Sequence, residues 1–210
     1  MTGFVERART VAGEIPAALE RVRPEGVVAL IGALLAARSV TVVGVGGEGL
    51  VARALRMRLM HAGADAHRVW HDATPGIGPA DLLLAVSGSG EIGHVNHVAR
   101  RAQDRGARLA VVPADRPGPT ASRAHAVLAT PAVAVGSAAD AVASVQPMDT
   151  LFEQVALITF DVLVLELVDR PGISLDGPPR RHRNLQRAPQ TGVRDAPMSG
   201  RARSRDRWTS

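Results

Sequence analysis

Five apolar residues in a row, Leu82-Leu83-Leu84-Ala85-Val86, run directly into Ser87-Gly88-Ser89-Gly90-Glu91, and this join restricts the fold more than any other feature of the chain. A short apolar run behind an acid, Asp81, and ahead of a Gly/Ser turn predicts a buried strand. The helical pattern that follows it predicts a turn with two hydroxyls and several backbone N–H groups at a helix N-terminus. Such a turn suits an anion, usually a phosphate.

The rest of the chain repeats this grammar. Val5–Leu19 and Val27–Ala37 have helical spacing, with Pro24 near the start of the second helix. Val40–Val45 reads as a buried strand that ends in Gly46-Gly47-Glu48-Gly49, and Leu50–His61 as a helix stopped by Gly63. Ala66–Trp70, Asp81–Val86, Ala107–Val112 and Ala126–Thr130 are further strands. Between them fall a Pro/Gly loop at Thr74–Pro79, a helix at Glu91–Arg105 ended by Gly106, and a short helix at Pro117–Arg123. Ala132–Val145 is a connection of small residues with no clear period. Asp149–Arg170 is a long apolar helix, capped by Asp149 or Thr150 and broken by Pro171. Strands alternating with helices predict an α/β fold, a doubly wound parallel five-stranded sheet flanked by helices.

Composition sets outer limits. The 210 residues suffice for one α/β domain plus a tail. Aromatics are 2% and Tyr is absent, so the core is built from Val, Leu, Ile and Ala. Without Cys there is no disulfide, thiolate metal site or Cys nucleophile. No run approaches a membrane span, and Met1–Arg9 has no apolar signal core, which together predict a cytoplasmic protein. All 25 basic residues are Arg and the net charge is +5. Nine Arg against two Asp between Arg180 and Arg207 make a basic tail, read as a solvated extension rather than a nucleic-acid arm because no aromatics interleave it. The chain thus divides into a single domain over 1–186 and a disordered basic tail over 187–210.

Two glycine-rich turns follow strands. Gly44-Val45-Gly46-Gly47-Glu48-Gly49 superficially fits a dinucleotide fingerprint, with Asp72 near the place of a ribose-binding acid. The second turn, Ser87–Gly90, argues instead that both turns converge on one small ligand. No His/Asp/Glu set has convincing metal spacing.

These residues resemble the SIS (sugar isomerase) domain, whose hallmark is strand, Ser-Gly-Ser-Gly-Glu, helix. Three segments narrow the resemblance to the 6-phospho-3-hexuloisomerase branch: Met57-Arg58-Leu59-Met60-His61-Ala62-Gly63, then Ser144-Val145-Gln146-Pro147-Met148-Asp149-Thr150-Leu151-Phe152-Glu153-Gln154, then Arg181-His182-Arg183-Asn184-Leu185-Gln186. It extends over about residues 4 to 186. The resemblance implies a three-layer, flavodoxin-like sandwich and a homo-oligomer, typically a tetramer with sites between subunits. It also implies interconversion of 3-hexulose 6-phosphate and fructose 6-phosphate through an enediol, with no cofactor or metal. The partner implied is a small phosphorylated sugar; a membrane and nucleic acid are not.

The same resemblance assigns roles. Glu153 matches the base and His182 the tail histidine. Gly46, Gly47, Ser87, Gly88, Ser89, Gly90 and Glu91 match the phosphate-binding turns, and Arg58 is a candidate anion clamp or a side chain lying along its helix. His61 fits a packing role as well as a catalytic one. His94, His97 and His125 read as ordinary helix or surface residues. The family's first turn reads Gly-x-Gly-Arg-Ser-Gly, where this chain has Gly47 and Glu48, and its second turn ends in Thr, where this chain has Ile92. Gln186 stands where the family prefers Glu. A carboxylate about 5 Å from a bound phosphate costs on the order of 3 kcal/mol at an effective dielectric near 20, a roughly hundredfold loss of affinity. Glu48 therefore leaves two expectations: it points away while Arg58 or an Arg of a neighbouring subunit restores the positive field, or the site has shifted to another phosphosugar or lost catalysis while keeping the fold and the binding of sugar phosphates.

Overall fold

The computed structural model describes residues 2–114, 118–132 and 141–170. Its five strands are β1 (Val40–Val43), β2 (Ala66–Arg68), β3 (Leu82–Val86), β4 (Arg108–Val112) and β5 (Ala126–Val127). They pair in the order β2-β1-β3-β4-β5, all parallel. The register of the central pair sets Val40 opposite Leu82 and Val43 opposite Ala85.

Alternation along the strands separates two apolar layers. Leu82, Leu84 and Val86 of β3 point into one, with α2 (Pro24–Leu35), α3 (Gly46–Ala62) and α5 (Thr150–Val168). Leu83 and Ala85 point into the other, against Val95, Ala99 and Ala102 of α4 (Gly93–Asp104). Both faces being covered, β1 and β3 are buried at every position and carry only Val, Leu, Ala and Thr. α1 (Thr2–Leu19) lies outside, packed on α5. Phe152 and Phe160, fully buried on α5, are the largest side chains of the first layer.

The expected class is what the chain folds into, with shifted boundaries. α3 starts at Gly46 rather than Leu50, so the glycine-rich stretch is the first turn of the helix. β1 ends at Val43, and β5 is two residues rather than five. The short helix expected from Pro117 is a single 3-10 turn, Ala121–Arg123. α4 starts at Gly93, leaving Glu91 outside it. Gly63 (φ 108°) and Gly106 (φ 81°) end α3 and α4 in the left-handed conformation that favours glycine. The tail expected over 187–210 lies outside the described residues.

Candidate active site

The strand order itself locates the site. The chain leaves β1 toward β2 at one edge and leaves β3 toward β4 in the opposite direction. Adjacent parallel strands whose connections diverge leave a crevice beyond their carboxyl ends, where open α/β sheets bind ligands. The segments that follow β1 and β3 are the two glycine-rich turns.

In the first turn, backbone crowding explains the glycines. A Cβ on Gly49 would lie 2.7 Å from the Gly44 carbonyl oxygen, and one on Gly44 would lie 3.0 Å from the Glu48 carbonyl. Strand end and helix start approach closely there. Gly46 has φ 56°, a value other residues adopt at a cost. A Cβ on Gly47 would overlap the carboxylate of Glu153. The position where the family carries Arg is thus bare, and the base expected from the resemblance fills the space.

The second turn is held from several sides. The Ser87 N–H donates to the Val112 carbonyl at 3.1 Å, continuing the sheet, and Gly90 N–H donates to Ser87 O at 3.1 Å. Ser89 Oγ accepts the N–H of Glu91 at 3.2 Å, and the Thr120 hydroxyl donates to Gly90 O at 3.1 Å. Gly90 (φ 66°) abuts Gly118 so closely that a Cβ would lie 2.9 Å from its Cα. Ser87 is completely buried and its Oγ has no hydrogen-bond partner among the described residues. The N-cap residue of α4, Ile92, makes no side-chain capping hydrogen bond. The exposed Glu91 contributes only its backbone N–H.

Glu48 joins the two turns. It is 4% exposed, and its Oε1 accepts the Gly88 N–H at 2.5 Å. Its Oε2 is buried without a partner among the described residues. Burial pushes this carboxyl up, to about 7; the Gly88 N–H pulls the other way, while Asp149 and Glu153 add to the push through their negative charge. The expectation of a full negative charge beside the phosphate is therefore corrected. The group holds its proton more tightly than an ordinary carboxyl, and it points into the second turn.

Glu153 sits in the first turn of α5, half-buried, and its carboxyl is raised by burial and then by the charge of Asp149. The segment leading into this helix is held by a clasp that sequence reasoning missed. Glu14 of α1 accepts hydrogen bonds from Ser144 Oγ (2.6 Å), Val145 N–H (2.8 Å) and Gln146 Nε2 (3.0 Å). Gln146 and Gln154 exchange amide hydrogen bonds of 3.1 and 2.8 Å. The segment that carries the family resemblance is thus partly scaffold, tying the start of α5 to α1. Glu14 precedes Ser144 by 130 residues in the chain, and no local pattern marks it.

The other candidates are not brought together with these groups. Arg58 lies twelve residues into α3, about 18 Å along the axis from Gly46, and pairs with Asp161 of α5 through Nε and, at 3.1 Å, through Nη2. Within the chain it does not clamp an anion at the turns. His61 occupies the last turn of α3. His182 lies outside the described residues. Asp72 lies beyond the end of β2 at Arg68, on an exposed loop. A cavity of about 230 Å³ opens against the first turn, lined among others by Gly44, Gly46, Gly49, Arg53, Arg68 and Trp70. Among the described residues no three His, Asp or Glu are grouped to hold a metal, and no helix is long and apolar enough to cross a membrane.

The chain is similar in sequence and fold to known proteins. A 3-hexulose-6-phosphate isomerase of Mycobacterium gastri is 34% identical over 84% of this chain and 88% of its own. The enzyme of the same name from Bacillus subtilis is 29% identical over 73% and 83%. A Methanococcus jannaschii protein, whose crystal structure was described as inferring a molecular function of 3-hexulose-6-phosphate isomerase, superposes with a TM-score of 0.73 at 27% identity, covering 86% of this chain and 99% of that one. Residues 33–165 match the SIS domain, and the chain belongs to that family.

Proposed function

We propose that this protein is a sugar-phosphate isomerase that interconverts 3-hexulose 6-phosphate and fructose 6-phosphate through an enediol. The observation that carries the reading is the placement of the Glu153 carboxylate against Gly47, in the glycine turn that follows β1 at the switch point. A carboxylate raised by burial is suited to take a proton from carbon. It removes the proton from C2 of the 3-ketose as the electron pair forms the C2–C3 double bond and the C3 carbonyl oxygen is protonated. Return of the proton to C3, with loss of the O2 proton, gives the 2-ketose; no net oxidation occurs. Ser87 and Ser89, with backbone N–H groups at the start of α4, hold the phosphate, which fixes C2 and C3 over the base. By the resemblance, His182 serves ring opening or proton transfer to the sugar oxygens.

The direct test is a coupled assay for fructose 6-phosphate formed from 3-hexulose 6-phosphate, run with the wild type and Glu153→Gln. General base catalysis contributes about 10²- to 10⁴-fold, so the variant is expected to lose at least a hundredfold in kcat with an unchanged melting temperature. A fully active variant removes Glu153 from the chemistry.

A second reading is favoured by Glu48, which already occupies a donor of the phosphate turn. It makes the protein a sugar-phosphate receptor without turnover. Fructose 6-phosphate then raises the melting temperature while the coupled assay stays blank. Exposed Leu50 and Met57 on α3 and Val162 and Leu165 on α5 support a homo-oligomer, which light scattering checks.

A further inference from the structure

We propose that Glu48 receives the substrate phosphate as a hydrogen-bond donor: its Oε2, held as a carboxylic acid at the Ser87–Gly90 turn, donates to a phosphate oxygen, and ligand binding is thereby coupled to protonation of this one side chain. The inference rests on the sugar-phosphate reading given above.

Placement comes first. One oxygen of Glu48 is fixed on the Gly88 N–H, inside the turn that cradles the phosphate. The other is buried and has no partner among the described residues. A buried carboxylate left with one hydrogen bond is costly. A carboxylic acid in the same place carries an O–H that needs an acceptor. Ser87 Oγ, fully buried at the same turn, is a second hydroxyl without a partner. Two buried groups able to donate, both lacking acceptors, suit a phosphate with its three acceptor oxygens.

Charge points the same way. Asp149 and Glu153, at the start of α5, both act on Glu48 through their negative charge, and the turn after β3 presents its backbone to it. A dianionic ligand adds a third negative neighbour, so the bound state holds the proton more tightly than the empty one. As a carboxylate the same side chain would lower affinity by roughly a hundredfold. As an acid it replaces the hydroxyl that the family carries at this position.

Calorimetric titration of the full chain with fructose 6-phosphate between pH 7 and 9 tests the coupling, because there the ligand stays a dianion, its own second pKa being about 6. Wild-type affinity is expected to fall by about tenfold per pH unit once above pH 7. Buffers of different ionisation enthalpy should show proton uptake approaching one per ligand. Glu48→Gln and Glu48→Ser should bind with a flat profile, while Glu153→Gln keeps the slope. A flat wild-type profile, or a slope retained by both Glu48 variants, overturns the role of Glu48 and leaves the sugar-phosphate reading standing. Absence of binding by the wild type and both Glu48 variants across this range, pH 7 included, overturns that reading and this inference with it.

Discussion

The carboxylate of Glu153 rests against the Cα of Gly47, in space that any side chain at residue 47 would need. Gly47 lies in the first turn of α3 with no left-handed φ, so alanine suits its backbone and its helix. Gly47→Ala is therefore expected to keep or slightly raise the melting temperature while pushing Glu153 off its position. A misplacement of about 1 Å costs on the order of a hundredfold. Steady-state kinetics should show that loss in kcat, with KM changed much less.

Glu48 also sets how stability varies with pH. Its carboxyl is raised in the folded state from 4.5 to about 7, so between these values the folded chain holds a proton that the unfolded chain has released. Stability is then highest below the lower value, falls as pH rises through the interval, and levels off above it, by a total of about 3 kcal/mol. Asp81 runs the opposite way. Burial raises it, but Arg38, Ser39 and the Gly78 N–H together hold it below the usual carboxylate range, so its contribution is lost in acid. Urea unfolding at pH 5.5, 7 and 8.5 should show the wild type weakening with pH and Glu48→Gln nearly constant.

Glu14 acts at a distance from the chemistry. Replacing it with Ala removes the acceptor of Ser144, Val145 and Gln146 and frees the segment that leads into α5. Hydrogen bonds to a charged group are worth about 1.5–3 kcal/mol in favourable settings; this carboxylate is partly exposed, so a loss of about 1 kcal/mol in stability is expected. The informative readout is kcat, which should fall about tenfold if the clasp positions Glu153. Glu14→Gln should recover part of it by keeping an acceptor.

Arg58 and Asp161 tie α3 to α5 with side chains 28% and 44% exposed. A pair this open contributes about 1 kcal/mol or less. Arg58→Ala should lower the melting temperature slightly and leave fructose 6-phosphate affinity within about twofold, because the guanidinium is engaged some 18 Å along the helix from the glycine turn. A large loss of affinity would restore it as an anion clamp, reached from a neighbouring subunit.

What could be read in the chain follows the range of the forces involved. The strands were legible because burial on both faces leaves a continuous apolar run, and the left-handed helix ends because only Gly63 and Gly106 fit them. The start of α3 was misplaced because Gly46, Gly47 and Gly49 have poor helix propensity, which the close approach of β1 and α3 overrides. Glu48 looked like a bare charge, since nothing near it in sequence shows that packing will bury it and bring Asp149 and Glu153 from α5 to face it. Arg58 looked like a free cation because its partner is 103 residues away. Local rules found the turns; the protonation state of the groups between them depends on contacts that only the fold creates.

One strand governs where all of this happens. Every residue of β3 is committed to a layer, Leu82, Leu84 and Val86 to one and Leu83 and Ala85 to the other. A slip of one residue would exchange the two sets and turn each side chain to the opposite face. Ser87 and Gly88 begin where that strand stops, so their distance from Glu48 is fixed by five residues with no reactive group of their own. A single-residue insertion or deletion within Leu82–Val86 would move the serine turn away from Glu48 without altering one atom of either.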